Sequence, residues 1–209
     1  MPLSPRFLAL IAAEGLDGKR ALDLGCGTGR LTLWLSPRVK HAVGLDRDPR
    51  ALAEARRLAV ETRLTNVEFH EADVDREAYA RWGPDLITAY LCASDAIVEG
   101  AGRALAPGNC LAMVAFHIDQ WRETGKVSRF AYDQARIERV VRAAGFIPEV
   151  IEVEREVAHF ASVEGGLAAA VGLEDKWRAD GRWFRFIDFL EQGGRTLTRA
   201  HLIVKARRS

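Results

Sequence analysis

A glycine-rich turn near the amino terminus has the clearest chemical signature in the chain. After an apolar strand, residues 23–29 read Asp-Leu-Gly-Cys-Gly-Thr-Gly. Gly25 permits a tight turn, and Gly27 lets a ligand approach the backbone without meeting a Cβ atom. Free amides at the start of the next helix would face an anionic group. The glycine spacing differs from the Gly-x-Gly-x-x-Gly of dinucleotide binders, and the acid at Asp23 suits an ammonium group better than a pyrophosphate.

A second acid, Asp46, ends the next predicted strand. A carboxylate at this place accepts hydrogen bonds from two vicinal ribose hydroxyls. Helix capping does not account for it, because the following Asp48-Pro49 pair already supplies a capping side chain and a first helical turn. Asp46 is therefore predicted to bind the ribose of a nucleoside.

These residues resemble the class I S-adenosylmethionine-dependent methyltransferases, and the likeness extends over residues 20–118. The resemblance implies that S-adenosylmethionine is the cofactor and S-adenosylhomocysteine the product. It implies that Asp46, with Arg47 beside it, holds the ribose. It further implies that the methionine part is held by the acid and the loop, namely Asp23, Gly25, Cys26, Gly27 and Gly29.

Two further parts of a cofactor site follow from the same resemblance. Asp73, after the third predicted strand, corresponds to the family's adenine-recognising acid, with the backbone of Val74 nearby. A simple helix-capping role is the alternative for Asp73. Tyr90, after the fourth strand, is expected to pack beside the methionine portion.

The segment around Tyr90 also bears on the type of acceptor. It lacks the Asn/Asp-Pro-Pro-Tyr motif of the amino-methylating members and the Pro-Cys nucleophile of the cytosine-C5 members. Cys92 is interpreted as a buried structural thiol rather than a nucleophile. The sequence does not identify the methyl acceptor or its reacting atom.

His117 is the candidate general base. Transfer of a sulfonium methyl is an in-line displacement with a good leaving group, so alignment and exclusion of water do much of the work. An acceptor hydroxyl or acidic carbon also needs a base. His117 follows the fifth predicted strand, at the carboxyl edge where such ligands bind. Asp119 is expected to orient His117 or to replace it, and a solvated loop histidine is the alternative.

Alternating strands and helices must position these residues. Periodicity and turn residues predict helices at 4–14, 30–36, 48–63, 75–82, 94–106, 132–144, 162–173 and 182–191. They predict strands at 20–24, 41–46, 67–72, 85–91, 109–117, 147–158 and 197–206. This pattern predicts a single domain over 1–209 with a doubly wound, Rossmann-like α/β fold. Its seven-stranded sheet is mostly parallel, with an antiparallel last strand and a small helical insertion, 159–195, between strands six and seven.

The insertion has a heavy aromatic load, which consists of Trp177, Trp183, Phe184, Phe186 and Phe189. One interpretation is a mobile lid over the acceptor pocket, with some of these rings facing the pocket. Gly165-Gly166 and Gly193-Gly194 would supply flexible points near its borders. The alternative interpretation is that the rings attach the insertion to the sheet and have only a structural role.

Composition narrows the remaining function classes. With 30 basic and 29 acidic side chains, the net charge of +1 gives no electrostatic case for nucleic-acid binding. The three cysteines match no zinc spacing and cannot form a closed disulfide set, so no metal site and a reducing cytoplasm are expected. No signal peptide and no membrane segment are expected either. The expected partner is a small molecule, and the expected state is a monomer or homodimer.

Three functions from different classes remain open. The first is methyl transfer from S-adenosylmethionine to a small molecule. The second is a non-catalytic S-adenosylmethionine-binding module that acts through a protein partner. The third, an NAD-dependent oxidoreductase, is disfavoured by the glycine spacing and by Asp23. Turnover of the cofactor distinguishes the first from the second, and tight binding of NADH would support the third.

Overall fold

A computed structural model describes residues 2–209 and contains alternating strands and helices. The strands are β1 (Arg20–Leu24), β2 (His41–Asp46), β3 (Val67–Glu71), β4 (Leu86–Tyr90), β5 (Cys110–His117), β6 (Ala131–Tyr132), β7 (Phe146–His159) and β8 (Thr196–Arg208). The helices are α1 (Pro5–Ala12), α2 (Arg30–Leu35), α3 (Pro49–Glu61), α4 (Asp95–Ala104), α5 (Gln134–Ala143), α6 (Val163–Ala170), α7 (Glu174–Asp180) and α8 (Arg182–Glu191). Between residues 2 and 209, no helix is both long and apolar enough to cross a membrane.

The sheet has the predicted doubly wound order. Its strands follow the order β3-β2-β1-β4-β5-β8-β7, and the pairs among β1 to β5 are parallel. Backbone bonds from Phe160 to Arg195 and from Ser209 to Gly145 show that β8 runs antiparallel to β7. The predicted fold class is confirmed. The two-residue strand β6, which pairs with the end of β5, is an addition to the seven predicted strands.

Side chains at the helix ends explain where several helices begin and stop. The Ser4 hydroxyl accepts a hydrogen bond from the Phe7 amide at 3.1 Å, and Pro5 occupies the first turn of α1. Asp48 likewise caps α3, and Ser94 caps α4. Gly145, with φ of +83°, stops α5 as predicted, because a left-handed residue ends a helix at low cost when it is glycine.

The helix predicted at 75–82 is wrong. The structure has turns there and only a short 3-10 helix at Tyr79–Trp82. The Asp73 carboxylate accepts a hydrogen bond from the Asp75 amide, and the Asp73 carbonyl accepts one from Arg76. Such local bonds of aspartate compete with helix formation, and they explain the turn.

The chain divides into two compact units. The first contains residues 2–115, 134–152 and 203–209, and the second contains Phe116–Asp133 and Val153–Leu202. In the first unit, one apolar cluster includes Phe7, Ile11, Leu31, Leu35 and Ile203, and another contains Leu52, Ala55, Ala59 and Phe69. The second unit has its own core, formed by Trp121, Ala170, Trp177, Trp183, Phe186, Leu190 and Leu197.

The second unit contains the predicted helical insertion, with α7 as an unpredicted extra helix. Trp177 and Phe186 are fully buried, whereas Phe184 is 58% exposed. The paired glycines do not act simply as flexible points. A Cβ atom on Gly166 would lie 2.7 Å from Leu190, and one on Gly194 would lie 2.4 Å from Phe189, so both allow close packing.

Candidate active site

The three glycines in the turn after β1 are needed for different physical reasons. All three have positive φ angles. A Cβ atom on Gly25 would lie 2.2 Å from the Cys92 sulfur, and one on Gly29 would lie 2.9 Å from Ala55 and Phe69. A Cβ atom on Gly27 would meet nothing within 4 Å. Gly25 and Gly29 are therefore required by the protein's own packing, and Gly27 borders open space.

Asp46 is fixed against this turn at the carboxyl end of β2. Its carboxylate accepts one hydrogen bond from the Gly27 amide at 2.7 Å and another from the Asp48 amide at 2.9 Å. Asp48 itself accepts from the Arg50 and Ala51 amides and so caps α3, as the sequence predicts. Each oxygen of Asp46 keeps a second lone pair, and the side chain is only partly buried. The exposed Arg47 follows directly in the chain.

Asp23 lies deeper, at the end of β1. It is only 2% exposed, and its two oxygens accept hydrogen bonds from the Thr32 hydroxyl at 2.6 Å and the Thr88 hydroxyl at 3.0 Å. Burial raises the pKa of Asp23 to about 6, against the lowering effect of these bonds. Asp23 is thus a buried carboxyl group next to the turn, with a pKa raised towards neutral pH.

Asp73 and Val74 occupy the turn after β3. Asp73 is exposed, and its carboxylate lies 3.6 Å from the guanidinium of Arg76. The Val74 carbonyl accepts a hydrogen bond from the hydroxyl of the buried Tyr79. The turn is held to α4 by Ser94, whose hydroxyl donates to Asp75 at 2.5 Å.

Tyr90 ends β4 and contacts the amino-terminal segment. Its hydroxyl accepts a hydrogen bond from the Ser4 amide at 2.9 Å and donates to the Pro2 carbonyl at 3.2 Å. Its ring centroid lies 5.5 Å from that of Phe7. The next residue, Leu91, has a φ of +59°, a strained conformation for a branched side chain. Such strain is concentrated at functional sites.

The cysteines near the turn are not activated. Burial raises the pKa of the Cys92 thiol to about 11, with Asp46 and Asp75 adding to the shift. Burial also raises the pKa of Cys26 far above its ordinary value. Because the thiolate is the nucleophilic form, a raised pKa disfavours a nucleophilic role for either thiol. The interpretation of Cys92 as a structural thiol is supported.

His117 and Asp119 contact each other within the second unit. The Asp119 amide donates to His117 Nδ1 at 3.1 Å, and a carboxylate oxygen of Asp119 lies 3.4 Å from the same nitrogen. That carboxylate is also paired with Arg155. Burial lowers the pKa of His117 below its ordinary value, so the ring is neutral at pH 7. His117 is buried rather than solvated.

The structure brings several of the predicted site residues together. Gly27 and Asp46 are joined by a direct hydrogen bond. Asp23 pairs in register with Gly44 on one side and Thr88 on the other, within two residues of the carboxyl ends of three parallel strands. Sequence reasoning missed Thr32 and Thr88, which hold the Asp23 carboxylate, and the strained Leu91. A hydroxyl at Thr88, opposite Asp23 in a parallel sheet, is a signal that strand alignment could have found.

The turn and Asp46 fit S-adenosylmethionine. The open space at Gly27 leaves room for a ligand beside the backbone of the turn, and a side chain at this position would occupy that room. The free lone pairs of the Asp46 carboxylate match the two hydroxyl donors of a ribose. A buried carboxylate at Asp23 favours a cationic ligand nearby.

Comparison with known proteins gives the family. Residues 16–163 match the family described as "Methyltransferase domain". The chain belongs to this family and is a class I S-adenosylmethionine-dependent methyltransferase. The cofactor of this class is S-adenosylmethionine. The solved structure of the YcgJ protein from Bacillus subtilis has a TM-score of 0.74 at 16% identity, covering 98% of this chain and 99% of that one. An S-adenosylmethionine-dependent methyltransferase from Mesorhizobium loti has a TM-score of 0.64 at 18% identity, covering 98% and 96%. At these identities the likeness is one of fold.

Curated relatives match over a shorter stretch. The 23S rRNA (uracil(1939)-C(5))-methyltransferase RlmD of Stenotrophomonas maltophilia is 41% identical over 69 residues, which are 33% of this chain and 16% of that protein. The 2-heptyl-1-hydroxyquinolin-4(1H)-one methyltransferase of Mycobacteroides abscessus is 43% identical over 70 residues, 34% of this chain and 30% of that protein. The chain therefore matches less than a third of the length of either relative.

Proposed function

We propose that this protein transfers a methyl group from S-adenosylmethionine to a small-molecule acceptor. The observation that carries the proposal is the pairing of the open Gly27 turn with Asp46, which has acceptor capacity to spare. In this proposal Asp46 and Arg47 hold the ribose, and Asp73 with the Val74 backbone holds the adenine. The methionine portion is held by Asp23, Gly25, Cys26, Gly27, Gly29 and Tyr90.

The bound cofactor supplies an electrophilic sulfonium methyl with a good leaving group. The protein's task is then to align the acceptor and to exclude water. In its ionised form Asp23 stabilises positive charge near the turn, because a carboxylate in a low-dielectric surrounding acts strongly on nearby charge. The hydrogen bonds from Thr32 and Thr88 keep that carboxylate in place.

His117 is proposed as the base when the acceptor must lose a proton. The neutral ring suits this role, because burial lowers its pKa. The hydrogen bond from the Asp119 amide to Nδ1 favours the tautomer that carries its proton on Nε2. Catalysis at Nε2 requires the other tautomer, in which Nδ1 donates to the Asp119 carboxylate. The proposed base role therefore requires that the bond from the Asp119 amide to Nδ1 gives way to one from Nδ1 to the Asp119 carboxylate, now 3.4 Å away, and Asp119 is proposed to orient His117 in this way or to replace it as the base.

A small-molecule acceptor is favoured over RNA. The chain is nearly neutral, with a net charge of +1, whereas RNA binding rests on basic surfaces. The resemblance to the rRNA enzyme covers only 16% of that protein. The relative from Mycobacteroides abscessus, of which the match covers 30%, is named as a methyltransferase of a small molecule, 2-heptyl-1-hydroxyquinolin-4(1H)-one. A cytoplasmic location is proposed, because all three cysteines are free, and the proposed state stays a monomer or homodimer.

Calorimetry and turnover test the proposal. We expect one S-adenosylmethionine and one S-adenosylhomocysteine site per chain, and production of S-adenosylhomocysteine when a suitable acceptor is present. Absence of binding heat and of a thermal shift at millimolar cofactor would exclude the proposed function. Binding without turnover over a broad panel of acceptors would favour the alternative of a non-catalytic binding module. Tight binding of NADH would instead favour an oxidoreductase.

A further inference from the structure

Four buried nitrogen atoms without hydrogen-bond partners occur among residues 2–209, and all of them belong to the second unit. They are Gln120 Nε2, Trp177 Nε1, Arg182 Nε and His201 Nε2. Their side chains belong to residues that are at most 7% exposed. Folded proteins pair nearly all their buried polar groups, because leaving one unpaired costs the full desolvation of that group. The concentration of four such atoms in one unit points to a ligand.

The four residues are linked to one indole ring, that of Trp121, two by direct ring contacts and two through chain neighbours. The Trp177 ring lies 5.3 Å from it in an edge-on arrangement, and the Arg182 guanidinium lies 5.9 Å from it. Gln120 precedes Trp121 in the chain and accepts a hydrogen bond from the Ala200 amide, next to His201. We call Gln120, Trp121, Trp177, Arg182 and His201 the Trp121 cluster.

The backbone of Trp121 is strained. Its φ is +58°, in a region that a bulky aromatic residue rarely adopts. The Trp121 amide donates to the Thr198 carbonyl at 2.9 Å, and this bond helps to hold the conformation. Strained residues of this kind occur at ligand clamps, where the surrounding structure over-determines them.

The chemistry of the four atoms defines the ligand. The indole Nε1, the amide Nε2 of glutamine and the guanidinium Nε can only donate hydrogen bonds, while a histidine nitrogen donates or accepts. The ligand must therefore bring acceptor atoms. The charge of Arg182 is already paired with Asp180, and a second guanidinium nitrogen donates to the Lys126 carbonyl. An uncharged carbonyl or ether oxygen thus suits the cluster better than a carboxylate.

The aromatic surroundings define the shape of the ligand. The Phe116 ring centroid lies 6.0 Å from that of Trp121 and 5.9 Å from that of His201, so aromatic rings lie next to the unpaired nitrogens of Trp177 and His201. Flat rings pack well against such surfaces. We propose that the Trp121 cluster binds a planar aromatic molecule that carries uncharged oxygen acceptors. That this molecule is the methyl acceptor rests on the proposed function.

Chromone and indole are the probes that test this inference. Both are flat and bicyclic, but chromone has only acceptors and indole has only a donor. We expect chromone to bind the wild-type chain about tenfold more tightly than indole, because one well-made hydrogen bond is worth roughly that factor. Nitrogen-15 spectra of the five tryptophan indoles should show the Trp177 signal moving on addition of chromone.

Single substitutions test whether chromone binds at the Trp121 cluster. Trp177→Phe and Gln120→Leu each remove one unpaired donor, so each should weaken chromone binding by about tenfold. Trp183→Phe is the matched control, because Trp183 lies in the same aromatic core but its Nε1 is not among the unpaired atoms. It should leave chromone affinity within about threefold of wild type. Gln120→Leu and the wild-type spectra keep the test valid if Trp177→Phe does not fold.

Other outcomes would overturn the inference. Chromone binding no better than indole, an unmoved Trp177 signal, or equal losses in Trp183→Phe and Gln120→Leu would each exclude a donor site at the Trp121 cluster. Calorimetry with S-adenosylhomocysteine on the same samples separates the two claims. Intact binding of that nucleoside without chromone binding refutes this inference alone, whereas failure to bind the nucleoside refutes the proposed function.

Discussion

Gly27 differs from the other glycines of its turn because open space adjoins it. We expect Gly27→Val to abolish S-adenosylmethionine binding while the protein stays folded, since the branched side chain would fill that space. Gly15→Val is the matched control. Gly15 has a φ of +60°, close to the +55° of Gly27, and a Cβ atom there also meets nothing within 4 Å. The two variants therefore carry similar backbone strain. Calorimetry with circular dichroism measures both, and normal binding by folded Gly27→Val would mean that the turn is only structural.

Asp46 offers a second test at the scale of one residue. We expect Asp46→Ala to weaken S-adenosylmethionine binding by about 1.5–3 kcal/mol, the range for hydrogen bonds to a charged group. Asp48→Ala should instead cost about 1 kcal/mol of folding stability through its lost helix cap and leave cofactor affinity unchanged. Titration calorimetry and urea unfolding separate the two effects. Unchanged affinity in Asp46→Ala would remove this carboxylate from the site.

The sequence predicts local features of the site better than long-range ones. The caps at Asp48 and Ser94 and the stop at Gly145 follow from side-chain chemistry within a few residues. The left-handed backbones of Leu91 and Trp121 carry no such signal, because leucine and tryptophan do not favour that conformation and surrounding structure imposes it. Open space at Gly27 was predictable, whereas the packing of Gly25 on Cys92 needs the folded sheet.

Asp23 links three elements, because its carboxylate on β1 binds the hydroxyls of Thr32 in α2 and Thr88 in β4. Burial raises its pKa from 3.8 to about 6. The folded protein therefore binds a proton more tightly than the unfolded chain, and this term adds stability as the pH falls from above 6 towards 4. The full gain is on the order of 3 kcal/mol, since one pKa unit corresponds to about 1.4 kcal/mol.

The variant Asp23→Asn should lack the added stability at low pH that the raised pKa of Asp23 provides. We expect the difference in unfolding free energy between wild type and variant to shift in favour of wild type as the pH is lowered from 7 to 4. Urea unfolding at four pH values measures the unfolding free energy of both proteins. Subtracting one from the other removes the contribution of groups that titrate alike in both, such as Glu14 with its lowered pKa. A difference that stays constant with pH would show that Asp23 titrates alike in both states.

The strands and helices show which parts of the fold can be predicted from sequence patterns and which cannot. The seven main strands follow from apolar runs and turn residues, and they are confirmed. The predicted helix at 75–82 is wrong because aspartate side chains bond their own backbone there. Helix α7 was missed although Glu174 and Asp175 favour its first turn and Gly181 ends it. Its short length and its one buried residue, Trp177, give no clear periodicity.

At the scale of the whole molecule, the first unit contains the residues proposed to bind the cofactor, and the second contains an aromatic core with unpaired polar atoms. The buried rings of Trp177, Trp183 and Phe186 are what the structural interpretation of the insertion expects. A mobile cover is compatible with these buried rings. Unpaired buried donors lower the stability of the core, so the helices around it open at a lower free-energy cost. The unpaired atoms are closed to solvent, so a ligand reaches them only when the helices around them open.

Hydrogen exchange tests whether residues 159–195 form a mobile cover. In the free protein we expect the amides of α6, α7 and α8 to exchange faster than those of β1 to β4, because opening of the second unit costs less than unfolding of the sheet. Addition of S-adenosylhomocysteine together with chromone should slow exchange in α7 and α8, since a ligand that satisfies the Trp121 cluster stabilises the closed state. Helix α3, which lies in the other unit, serves as the internal reference and should change little when chromone is added to protein already saturated with S-adenosylhomocysteine. Protection equal to that of β1 to β4 in the free protein, unchanged by either ligand, would make the insertion a fixed part of the core rather than a cover.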